Sequence, residues 1–69
     1  MNTAARQTVK TECQLLTENN NLTWARGNLR AAQFRQTMGA DNIAEIDYYA
    51  ECVSASLSEV ERLRSVLAA

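Results

Sequence analysis

The chain has no proline and no histidine, only two glycines and two cysteines, and four aromatic residues in all: one Trp, two Tyr and one Phe. Each shortage excludes something. Without proline and with so little glycine, the chain reads as one ordered unit. Without histidine, the commonest general base near neutral pH is gone, and with it most zinc sites. Cys13 and Cys52 form no CxxC pair, and the chain starts without an apolar secretory segment, so reduced core thiols are expected rather than a disulfide. No stretch approaches the roughly 18 apolar residues of a membrane span. No glycine loop suited to phosphate is present, and no enzyme activity, cofactor or metal is expected. These absences point to a cytoplasmic chain without a membrane partner.

What is present is helix-forming. The 69 residues are 46% hydrophobic, enough for one unit over 1–69 and too few for a second domain. A chain of this size buries only about 60% of the surface its unfolded form exposes, so oligomerisation is the simplest way to complete a core. Net charge is -1, which argues against strong general affinity for nucleic acid, yet the total hides a split. Residues 1–40 are basic, with Arg6, Lys10, Arg26, Arg30 and Arg35 against Glu12 and Glu18. Residues 41–69 are acidic, with Asp41, Glu45, Asp47, Glu51, Glu59 and Glu61 against Arg62 and Arg64. Two antiparallel helices that attract one another would show this pattern.

In the second half, Ile43, Ile46, Ala50, Val53, Leu57, Val60 and Leu67 follow steps of three and four except at the end, where Arg64 takes the expected place and Leu63 offers a neighbouring contact. This spacing predicts a helix over about 43–67. Gly39 can take the positive φ that ends a preceding helix, and Asp41 or Asn42 can cap the next, Asn42 and Glu45 having capping-box spacing. A turn is therefore expected at 39–42.

The first half sets Leu15, Leu22 and Leu29 at intervals of seven, with Ala25 and Ala32 between, and a second stripe of Val9, Cys13 and Leu16 beside them. Trp24, Phe34 and Met38 widen the apolar arc. Asn19, Asn20 and Asn21 compete with helix by bonding to their own backbone, and Gly27 costs about 1 kcal/mol against Ala. The leucine register nevertheless continues through them, which predicts one helix over about 4–38, continuous or bent near 19–27. The expected fold is all-α: an antiparallel helical hairpin, paired with a second copy as a four-helix bundle. Leu15, Leu22, Leu29, Ile46, Val53, Leu57 and Val60 are the expected core or dimer residues.

Two surfaces are candidates for recognition. If Ile46 and Ala50 face inward, Tyr48 faces outward and Tyr49 lies at the core margin. Tyr48 beside Asp47 and Glu51, with Glu45 nearby, makes a candidate protein-binding patch, since a rigid aromatic anchors an interface at modest entropic cost; an isolated surface tyrosine on a solvated acidic face is the plain alternative. Arg26 and Arg30, one turn apart, and Arg35 could instead track phosphates of an RNA or DNA duplex from a symmetric dimer. Trp24 is expected at the hairpin or dimer seam.

On its hairpin pattern the chain is similar to the plasmid copy-number RNA-binding repressor of primer, a dimer of hairpins with a buried cysteine, and to the small co-chaperones of type III secretion needle subunits. On length, charge and the same pattern it also resembles the quorum-sensing anti-activator of Pseudomonas phages, an all-helical dimer. That last resemblance implies an inhibitor of a LuxR-type transcription activator and a type IV pilus assembly ATPase, acting in the host cytoplasm. The outward Tyr48 among carboxylates suits an inhibitor of basic, DNA-binding proteins better than an RNA binder. These resemblances rest on no shared motif, and no functional residue is carried over.

Overall fold

The asparagine run does not break the first helix. A computed structural model describes residues 3–69; α1 spans Thr3–Thr37 and α2 spans Ile43–Ala68, packed antiparallel as an all-α helical hairpin. Side chains that favour turns when left free are occupied along α1. The Thr8, Thr11, Thr17 and Thr23 hydroxyls each donate to the carbonyl four residues back, as does the Asn28 amide to Trp24. Their competition with the helix thus becomes local decoration of its carbonyls.

The α1 terminus is a Schellman motif. Gly39 takes φ +100, its N–H donates to the Gln36 carbonyl (3.0 Å), and the Ala40 N–H reaches back to Arg35 (3.0 Å). A residue lacking Cβ is favoured there because L side chains crowd the backbone at positive φ. The start of α2 departs from expectation. Asn42 occupies the cap position, but its side chain makes no capping bond and the capping box does not form. Its Nδ2 donates instead across the hairpin to the Ala32 carbonyl at 2.9 Å.

The interhelical seam is narrow and regular. On α1 it follows Thr11, Leu15, Glu18, Leu22, Ala25, Leu29 and Ala32, all buried or half-buried. On α2 it follows Ile46, Tyr49, Val53, Ser56, Val60 and Leu63, with Val60 and Leu63 the largest fully buried side chains. Of the expected α2 stripe, Ile46, Val53 and Val60 belong to this seam, whereas Ile43, Ala50, Leu57 and Leu67 are exposed. The reason is geometric: the apolar arc of α2 is wider than one neighbouring helix can cover, and α1 sits over the side that ends in Leu63, away from Arg64. Nor is Cys13 a core thiol; it is exposed, and Cys52 is half-buried, both unbridged.

The molecule is a rod of 56 × 16 × 14 Å. Its radius of gyration, 16.1 Å, exceeds the about 11 Å of a compact 69-residue domain. Two helices in one layer cannot enclose a core, so much apolar surface stays outside: Leu16, Phe34 and Met38 are 64%, 66% and 74% exposed.

Candidate partner-binding surface

Tyr49 sits in the α2 seam and carries an aromatic group on each side. Its ring meets Trp24 of α1 edge-on, with centroids 5.6 Å apart at 72°. It meets Tyr48 at 5.2 Å and 65°. Edge-to-face geometry directs the positive rim of one ring at the negative face of the next. The cluster therefore runs from the hairpin's interior to its surface, where Tyr48 is 57% and Trp24 55% exposed. Tyr48 faces outward as expected, although the inward residues that set its direction are Ile46, Tyr49 and Val53 rather than Ile46 and Ala50.

Cys52, one helical turn after Tyr48, completes the patch. The neighbouring Cys52 thiol is the main cause holding the Tyr48 hydroxyl above the ordinary tyrosine range, through polar interaction between the two side chains and unfavourable charge between them. Cys52 was not among the expected site residues; its spacing of four from Tyr48 was the available signal.

The carboxylates divide into two roles. Glu45, half-buried, takes the Arg35 guanidinium in an ion pair that bridges the helices beside the turn. Asp47 and Glu51 are exposed and make no ion pair among the described residues. Farther along α2, Arg62 Nε donates to both Glu59 oxygens at 3.1 and 3.0 Å, and this contact lowers the Glu59 pKa. Asp41 and Glu61 are likewise exposed and in no ion pair among the described residues, so Asp47 and Glu51 are distinguished by standing beside Tyr48.

The three arginines also separate. Arg26 and Arg30 line a shallow open surface on α1 with Thr23 and Gly27, while Arg35 is held by Glu45. Among the described residues no group of three or more His, Cys, Asp or Glu converges as metal ligands, and no helix is long and apolar enough to cross a membrane.

The fold and this surface define a helical hairpin with an aromatic patch on an acidic helix. The chain matches no family model, and no curated protein or solved structure is significantly similar to it.

Proposed function

We propose that this chain is a homodimeric regulator that binds another protein through the Tyr48 patch and blocks that protein's binding of DNA or its assembly. One observation carries the reading: Tyr48 stands out from the hairpin on an edge-to-face cluster of three rings, beside two carboxylates in no ion pair among the described residues. A half-exposed ring already braced by its neighbours loses little freedom when a partner covers it. Asp47 and Glu51 select a basic partner surface and speed its approach more than they add to final affinity. A transcription activator of the LuxR type or a type IV pilus ATPase, as the anti-activator resemblance implies, would supply such a surface at its DNA- or nucleotide-binding face. The apolar surface that one hairpin leaves open supports a dimer.

The test is capture of partners by the tagged chain from a bacterial host, with and without nuclease, beside a Tyr48→Ala variant. A stoichiometric protein that resists nuclease and is lost with Tyr48→Ala, while helix content and mass are kept, supports the reading. Capture of RNA alone, abolished by Arg26→Gln with Arg30→Gln, sinks it in favour of a phosphate-tracking surface on α1. That second reading draws on the exposed Arg26 and Arg30 one turn apart.

A further inference from the structure

The outer face of α1, opposite the hairpin seam, carries a second stripe that no described residue covers. Its first half is Val9, Cys13, Leu16 and Asn20, and its second is Gly27, Ala31, Phe34 and, one residue past the end of α1, Met38; all are exposed. At about 100° per residue these positions fall within an arc of about 60°, on the far side of the helix from buried Leu22 and Ala25. The intervals between successive members are four, three, four, seven, four, three and four. That series reads the same in both directions, with its centre between Thr23 and Trp24.

A stripe with this symmetry is complementary to itself when two copies run antiparallel. A two-fold axis at its centre sets Val9 against Met38, Cys13 against Phe34, Leu16 against Ala31 and Asn20 against Gly27. In the last three layers a larger side chain meets a smaller residue, so two helices keep an even separation along their length. Parallel pairing would instead stack Phe34 on Phe34 and Met38 on Met38 while leaving empty layers at Gly27 and Ala31. A Cβ added at Gly27 would meet no atom within 4 Å in the hairpin, so the hairpin itself does not require the missing side chain there. An Asn20 amide packed against the Gly27 backbone would penalise any slipped register, as a lone buried Asn does in coiled coils.

The exposed area fits such a pairing. Glu12 and Arg30 lie on the same flank of the stripe and make no ion pair among the described residues; the axis sets Glu12 of one copy level with position 35 of the other, more than a turn from Arg30. On the opposite flank Lys10 approaches Arg35, whose charge Glu45 already balances. The hairpin exposes 5115 Å², against about 4300 Å² for a compact monomer of its mass. The excess, about 800 Å², equals what each partner buries in a standard protein interface.

We infer that two copies of this chain join through the outer faces of their α1 helices, antiparallel about a two-fold axis between Thr23 and Trp24, leaving the two α2 helices outermost. The inference rests on the homodimer reading above and specifies its geometry: the α1 helices are central, and each acidic α2 stays free to meet a partner.

Cysteine cross-linking with a mass measurement tests it, in a Cys52→Ser background. In the antiparallel dimer the two native Cys13 residues are about 31 Å apart along the helices, far beyond the roughly 7 Å between Cα atoms that a disulfide allows. Cys13 alone should therefore stay uncrosslinked under mild oxidation. Adding Phe34→Cys should convert the chain to covalent dimer, and Phe34→Cys with Cys13→Ser should not. Leu16→Cys combined with Ala31→Cys, in a Cys13→Ser chain, repeats the test one layer inward while retaining Phe34. Light scattering should give twice the 7.7 kDa chain mass. A dimeric mass with Cys13 bonding to itself means parallel pairing and overturns the inference. A dimeric mass with no cross-link from either designed pair places the interface elsewhere and overturns it while the homodimer stands. A monomeric mass at every concentration overturns both.

Discussion

The Asn42 side-chain amide hydrogen-bonds the Ala32 carbonyl at 2.9 Å, so the residue at the mouth of α2 ties the two helices together instead of capping its own. The two roles make opposite predictions. Asn42→Asp and Asn42→Ser are good N-caps but offer no amide donor to Ala32. Both should lower stability in urea unfolding followed by circular dichroism, by about 1 kcal/mol as for the loss of one hydrogen bond. If either matches the parent, a gained helix cap offsets the lost cross-hairpin bond.

The position of the seam predicts a contrast between two leucines. Leu63 is 1% exposed and Leu57 37%. Leu63→Ala should cost about 2–5 kcal/mol, enough to unfold so small a chain at dilute concentration. Leu57→Ala should leave both the unfolding midpoint and the oligomeric mass near those of the parent. A loss of the dimer with Leu57→Ala would place a second copy on the α2 edge.

The two glycines should respond oppositely to alanine. Gly27 has a helical backbone and open space around it, so Gly27→Ala should stabilise the helix of the isolated hairpin by about 1 kcal/mol. Gly39 sits at φ +100, so Gly39→Ala should destabilise it by about 1–2 kcal/mol. Thermal melts at concentrations where the chain is monomeric check both.

Alkaline titration tests the Tyr48–Cys52 contact. The raised Tyr48 pKa favours the neutral phenol in the folded state. Its stabilising contribution is therefore fully present below the ordinary tyrosine range and is lost as pH rises through the folded value. Cys52→Ala should move the Tyr48 phenolate transition in ultraviolet absorbance down toward that ordinary range, with Tyr48→Phe identifying which tyrosine has moved. An unchanged transition would show that Cys52 does not hold the hydroxyl.

The Glu59–Arg62 contact has the reverse sign. A lowered Glu59 pKa contributes stability above the ordinary glutamate range that is lost on acidification through the folded value. Both groups are exposed, so salt should screen the contribution. Glu59→Gln should flatten the acid side of the stability profile in low salt and change little in high salt.

The sequence alone determined the helices and the turn, because these depend on local chemistry: the three-and-four spacing of apolar residues, and a glycine able to take positive φ at position 39. It also determined that Leu15, Leu22 and Leu29 share one face and that Tyr48 points away from Ile46. Only the tertiary structure decided which side of each wide apolar arc meets the other helix. In α2, the shared members Ile46, Val53 and Val60 are equally compatible with Ala50 and Leu57 or with Tyr49 and Leu63 as their inward neighbours. Periodicity gives each residue an angle but carries no information on where the partner helix stands. Tertiary packing likewise turned Asn42 from a cap into a tie, joined Arg35 to Glu45 and set Trp24 edge-on to Tyr49. Each of these relations joins residues on different helices, and the distance between them is set by the crossing of the two helices rather than by either one.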